Sequence, residues 1–134
     1  MKIKAILALL VSGTLFFGGL ETAVAHTFVD ETRLTLNVSD THVHRNQKVT
    51  FSGRLIADHR SCYSHRTVRL YRNGQLVEST TTDSNGFYSF RVKVSRTRTY
   101  QVRFAGSVRG VHPHSHTCKP SRSRRATVQV NNGN

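Results

Sequence analysis

The side chains with chemical capacity in this chain are histidine, cysteine and arginine, and they are unevenly spread. Five of the eight histidines lie close to a cysteine: His59 and His65 flank Cys62, and His112, His114 and His116 precede Cys118. Neutral imidazole suits zinc, copper and nickel, so histidines from two loops could share one ion. If the stretch from His112 to His116 is extended, its alternate histidines project to one side. Asp58 is the nearby carboxylate that could orient such ligands. The competing reading is a polar loop whose imidazoles are simply solvated. The arginines carry a second signal. Arg66, Arg69 and Arg72 crowd one segment, Arg91, Lys93, Arg96, Arg98 and Arg103 follow, and Arg122, Arg124 and Arg125 come near the end. Guanidinium binds phosphate and carboxylate through two parallel hydrogen bonds, so an outward set of this kind fits a polyanion by salt-sensitive, weakly specific attraction. The alternative is that arginine-rich faces keep a small β protein soluble and its strand edges unpaired.

Catalytic groups are sparse. Beyond residue 25 the carboxylates are Asp30, Glu31, Asp40, Asp58, Glu78 and Asp83. Asp83 sits in a turn signal where Asp is expected for backbone reasons, and no two of the others occupy matching strand ends. The chain has no nucleophile elbow, phosphate loop or paired-histidine helix motif. A non-catalytic role is expected, with no catalytic residues.

Length and charge set the frame for these groups. The chain has 134 residues, 20 Lys plus Arg against 7 Asp plus Glu, a formal charge of +13, and 37% hydrophobic residues. That is one ordinary domain, too small for a multidomain enzyme or a Rossmann fold and too polar for a multi-span membrane protein. At the N-terminus Lys2 and Lys4 precede an apolar run from Ile6 to Leu20, and Ala23-Val24-Ala25 supplies small residues for cleavage. This is the pattern of a secretory signal peptide over residues 1–25; an uncleaved anchor would need a longer run. Residues 26–134 are then a single secreted or extracellular domain, periplasmic or cell-wall associated if retained, without a transmembrane segment. In an oxidising compartment Cys62 and Cys118 are expected to form one disulfide; the rival is a pair of thiolate metal ligands.

The elements that must hold these groups are strands. Apolar residues recur with period two at Leu34, Leu36 and Val38, then at Val49, Phe51 and Leu55 with Gly53 in the place of an inward side chain. Val68 and Leu70 point inward from a third strand, leaving Arg69 and Tyr71 outward. Asn73-Gly74 is a hairpin signal, because both turn positions need positive φ. A polar, edge-like strand runs from Leu76 to Thr81, and Asp83-Ser84-Asn85-Gly86 makes the next turn. Tyr88 to Val94, Tyr100 to Phe104 and Ala126 to Val130 complete seven strands. Seven short strands with turns between them predict an all-β, two-sheet sandwich. Tyr100 fits either a tyrosine corner or an ordinary inward aromatic. Ala105 to Arg124 shows no strand pattern and reads as a long loop, functional or disordered, and Asp30 and Glu31 fall in an N-terminal lead-in.

The stretches VTFSGRL at 49–55, RTVRLYRNGQLV at 66–77, TTTDSNGFYSF at 80–90 and TYQVRF at 99–104 resemble secreted bacterial domains with an Ig-like or transthyretin-like (prealbumin-like, carboxypeptidase-regulatory-like) sandwich. The likeness covers roughly residues 32–130. The contexts HRSCYSHRTVRLYR and CKPSRSRRATVQV resemble members in which the two cysteines are paired, which implies a Cys62–Cys118 bridge. It also implies a binding, spacer or adhesion module. The arginines give that module an extracellular or envelope polyanion, or another surface protein, as its expected partner rather than a specific nucleic acid, and a monomer is expected. Cleavage after Ala25 would leave His26 N-terminal, an arrangement similar to the histidine brace of secreted copper proteins. That resemblance implies a copper ligand at His26, with His42, His44 or the His112–His116 group completing the set. No other cofactor is expected; copper or zinc at the histidines is the alternative function.

Overall fold

Period-two alternation is realised along the chain wherever an apolar residue can face an opposing sheet. The computed structural model describes residues 26–111 and 114–131, with the backbone alone described for His26, Val111 and His114. The expected signal peptide and His112 lie outside the described residues. Thirteen strands run in chain order: β1 His26–Asp30, β2 Thr32–Leu34, β3 Asn37–Val38, β4 His42–His44, β5 Gln47–Ala57, β6 Thr67–Arg72, β7 Gln75–Thr81, β8 Phe87–Val94, β9 Arg98–Phe104, β10 Ser107–Val111, β11 His114–Cys118, β12 Ser121–Arg122 and β13 Ala126–Asn131. A 3-10 turn at Arg60–Cys62 lies between β5 and β6. There is no α-helix among the described residues, and none of their helices is long and apolar enough to cross a membrane.

The strands form a β-sandwich-like arrangement. One sheet is built on β5, with β2 and β3 along one edge and β8 along the other; a second runs β4-β13-β9-β6-β7, with β12 also paired to β9. Val49, Phe51 and Leu55 of β5 and Tyr88, Phe90, Val92 and Val94 of β8 pack with Val68, Leu70, Tyr100, Val102, Phe104 and Val128 from the second sheet. The Phe51 and Tyr100 rings meet across the interior at 4.5 Å. Burial of this apolar surface is the main term that holds the sheets together. At Gly53 the neighbours on both edges of β5 close over the strand. A Cβ there would lie 2.1 Å from the Thr35 carbonyl oxygen and 2.7 Å from the Tyr88 hydroxyl. Tyr88 is the cross-strand partner of Gly53 and fills its vacated space, donating its hydroxyl to the Thr35 carbonyl. Burial pushes the Tyr88 phenol well above its usual pKa, against an opposing pull from Arg124.

The expected hairpin forms at Asn73 and Gly74, with φ of 48° and 84°. The chain is all-β as expected but has thirteen strands among the described residues rather than seven, and β7 lies at a sheet edge as its polarity suggests. The count is larger than seven because three regions differ. The first expected strand is split into β2 and β3, and the chain then crosses to the opposite sheet, where β4 runs parallel to β13. Residues 26–30 are a strand rather than a lead-in. The segment Ala105 to Arg124 contains three strands, not a structureless loop: β10 and β11 pair antiparallel, β1 adds to β11 in parallel, and β12 pairs with β9. These strands lack apolar alternation because their small sheet has little core to cover. Val29 and Val108, both in register with Thr117, are exposed on one face. Tyr100 is an inward aromatic rather than a tyrosine corner: its buried hydroxyl has no hydrogen-bond partner among the described residues.

Candidate functional site

The sandwich divides the chemical groups between its disulfide end, its two outer faces and its opposite end. At the disulfide end Cys62, in the 3-10 turn, is bonded to Cys118 at the end of β11, with Cα atoms 5.5 Å apart. That separation is ordinary for a disulfide, and it takes both sulfurs out of reach of a metal. Beside it stands buried Asp30, the last residue of β1. Its carboxylate accepts the His59 backbone N–H at 2.8 Å and faces the His59 Nδ1 at 2.8 and 2.9 Å. Phe28 lies between two imidazoles, its ring 3.9 Å from that of His59 and 3.7 Å from that of His116. His116 Nδ1 is in turn 3.4 Å from the Ser61 hydroxyl. A phenyl ring therefore separates the two histidines, whose centroids are 6.2 Å apart.

His65 makes none of these ring or carboxylate contacts. It has a φ of 55° and donates its backbone N–H to the Asp83 carbonyl. In the β1–β11 register His26 is opposite His114. No set of three His, Cys, Asp or Glu side chains among the described residues could hold a metal ion. The carboxylate that orients a histidine here is Asp30, not Asp58. Period-two reading could not find it, since its approach to His59 depends on the long-range pairing of β1 with β11. Arg66 belongs to this end too. Its Nε donates to the Ser61 carbonyl at 2.7 Å, and burial, followed by the nearby Arg109 charge, holds its pKa below the usual arginine value.

The remaining predicted cations do not form one patch. Arg91 and Lys93 alternate outward from β8, opposite Thr50 and Lys48 of β5. They occupy the outer face of the β5 sheet, with Arg54 stacked 4.8 Å over exposed Phe87 on the same two strands. Arg124 reaches back to donate to the Leu36 carbonyl at 3.2 Å. Arg72 is directly opposite inward Tyr100 and therefore points to the inner side of its strand, at the end of the sandwich away from the disulfide.

Four arginines do converge, on the outer face of the other sheet. Arg69 of β6 is in register with Arg103 of β9, and Arg103 is in register with Arg122 of β12. Neighbouring strands are about 4.8 Å apart, so the three form a row crossing about 10 Å of sheet. The Arg103 guanidinium lies 4.2 Å over the Tyr71 ring, and its Nε donates to Gln101 Oε1 at 3.3 Å. A groove of about 460 Å³ runs between Arg69, Tyr71, Arg103, Pro120 and Arg122. A second hollow of about 310 Å³, sharing Tyr71 and Arg103, extends it past Gln101 to Arg125.

Like charges set directly opposite each other on neighbouring strands repel, and here no carboxylate relieves them. The two ion pairs among the described residues are His59–Asp30 and Lys119–Glu31. Tyr71 contributes a flat apolar face on which Arg103 is held in place. The outward direction of Arg69 and Arg103 follows from alternation. Their alignment with Arg122 depends on a two-residue strand with no apolar signature. Neither a known protein family nor a curated protein matches this chain.

Proposed function

We propose that this is a secreted, non-catalytic Ig-like sandwich that binds an extended polyanion along the groove formed by Arg69, Arg103, Arg122 and Arg125. The observation that carries the reading is the register row of three arginines with no carboxylate beside it. Such a row is repulsive by itself and favourable once successive phosphates, sulfates or carboxylates are laid across it. The groove is open, and a stacked tyrosine keeps one guanidinium oriented, which suits a polymer chain better than a buried small molecule. Secretion is supported by the basic and apolar N-terminal pattern together with a bridged cysteine pair. An Ig-like identity is supported by the order of strands: the N-terminal segment is shared between sheets, with β4 parallel to β13.

The test is retention on immobilised heparin and on lipoteichoic acid as salt is raised. The triple variant R69Q/R103Q/R122Q should leave the resin at much lower salt, and its plot of log K against log salt should be shallower by about 2–3. The pair R91Q/K93Q, on the opposite face, should change elution far less. Equal losses from the two variants would show that net charge alone governs retention and would overturn the reading. A second reading, copper or zinc binding at the histidines, is supported by the register that sets His26 opposite His114 at the mouth of the β1–β11 pair. Native mass of metal-free and copper- or zinc-supplemented protein tests it, and no stoichiometric adduct with either metal would end it.

A further inference from the structure

At the end of the sandwich away from the disulfide, three arginines surround a hollow of about 510 Å³. Arg72 closes β6, Arg98 opens β9, and Arg96 comes from the turn between β8 and β9. Alternation explains the first two. Arg72 is in register with Tyr100, and Arg98 with buried Val128, so both point to the inner side of the sheet, beyond the last apolar layer. Asn73 and Gln75, from the β6–β7 hairpin, complete the rim. The hairpin is tied to β9, since Asn73 Oδ1 accepts the Thr99 N–H at 3.0 Å and the Asn73 N–H bonds to the Thr99 carbonyl at 2.8 Å. With its oxygen engaged, the Asn73 side chain has its amide N–H groups left to offer. Arg45 lines an adjoining hollow with Arg96, adding a fourth cation to this end.

No carboxylate lines the hollow. Tyr100 does, at 1% exposure, and its hydroxyl is buried with no partner among the described residues. A buried phenol normally finds one. The arginines that line the hollow carry donors only; Arg98 Nη1 donates to the Thr97 carbonyl at 3.1 Å, and what would satisfy the remaining donors together is an acceptor with several oxygens and negative charge.

We infer that this hollow is a binding site for a compact tetrahedral oxyanion, phosphate or sulfate, held by Arg72, Arg96 and Arg98 with the Tyr100 hydroxyl as a further donor. Its arginines lie on the inner side of the sheet whose outer side carries the polymer groove; the two meet only at Asn73 of the hairpin, and the oxyanion site does not depend on polymer binding. The ligand is the anionic group itself, free in solution or terminal on a larger molecule.

The experiment is a titration of the ¹⁵N-labelled chain with sodium phosphate, and in parallel with sodium sulfate, at ionic strength held constant with sodium chloride. Saturable shifts should concentrate at Gln75, Ser95, Arg96 and Arg98, which line this hollow and not the groove, for at least one of the two anions. A phosphomonoester such as glycerol phosphate should reproduce them if the terminal group is the ligand, whereas shifts confined to the inorganic ions would assign the site to the free anion. Tyr100→Phe, which removes one oxygen, should weaken binding by about tenfold or more, the loss expected for a hydrogen bond to a charged group. Arg96→Gln, at an exposed turn position where folding is not at stake, should weaken it similarly. Lys48→Gln, on the far face, should leave it unchanged. Shifts that fail to saturate, that spread over the whole basic surface, or that retain full affinity in either Y100F or R96Q would overturn the assignment.

Discussion

Replacing both cysteines by alanine, in C62A/C118A, tests how the disulfide end is held. The bridge joins residues 56 apart in sequence. The loop-entropy relation for a closure of that length gives about 14 cal/mol/K, or about 4 kcal/mol at 25 °C. Both cysteines are buried, at 0% and 2% exposure, so losing each sulfur adds a small cavity cost on the order of 1 kcal/mol. The expected loss is therefore about 6 kcal/mol, a large part of what a domain of this size has. Urea unfolding followed by tyrosine fluorescence measures it, the chain having four Tyr and no Trp. The m-value should rise as well, because the unfolded chain without its cross-link exposes more surface. A second readout localises the effect. The small β1-β11-β10 sheet is fastened to the sandwich by the bridge, by Asp30 with His59, and by the Thr32 hydroxyl of β2 donating to the Lys119 carbonyl at 2.7 Å. Amide exchange in His26–Asp30 and His114–Cys118 should accelerate more than in β5 or β9. A loss below about 2 kcal/mol with uniform exchange would refute the reasoning, because the unfolded chain would then already keep these loops together.

Two further outcomes follow from other parts of the fold. Gly53→Ala drives a methyl group against the Thr35 carbonyl and the Tyr88 hydroxyl, and should cost about 3 kcal/mol by overpacking; an unshifted urea midpoint would show that β2 and β3 yield freely. Asp83 accepts the Phe87 N–H at 2.9 Å and the Asn85 N–H at 2.8 Å, and these bonds, Phe87 first, hold its carboxyl below the usual range. A carboxyl depressed in the folded state contributes stability above its ordinary pKa of about 4, and that contribution is lost as pH falls through the folded value. Asp83→Asn keeps the acceptor but cannot ionise, so its stability should fall less steeply below about pH 4. Urea midpoints measured between pH 2 and 6 check this, and parallel curves for the two proteins would exclude it.

What could be read from the sequence follows the range of each physical signal. Period-two alternation is local, and it located β5, β6, β8, β9 and β13 along with the inward Phe51, Leu70, Val102 and Val128. Turn chemistry is local too, so Asn73-Gly74 and the Asp83–Gly86 turn were legible. The small sheet was not: its strands carry His, Ser, Thr and Arg, and what defines them is a parallel pairing between the two ends of the chain. The same limit applied to the sites. Parity alone implied that Arg69 and Arg103 face outward; Arg72, expected in the same outward set, shares the parity of Val68 and Leu70 and lies on the inner side. Arg122 could be joined to the row only through the β12 register. Asp30 could be joined to His59 only through β1.

The partners of β1 and β4 have a consequence for the timing of assembly. Both lie in the first part of the described chain, yet β1 pairs with β11 and β4 with β13, near its other end. Synthesis proceeds N-terminus first at about 5–20 residues per second, so these two strands wait on the order of ten seconds before the segments that complete them exist. The β6–β7 hairpin closes early through local contacts, whereas the pairings that tie the two ends together come last, as high-contact-order pairings do. During that interval Cys62 is made and its partner Cys118 is not, so it persists as a free thiol while β1 keeps open edges. Cys118, β11 and β13 are therefore needed before the small sheet, the bridge and the β4 edge can be completed.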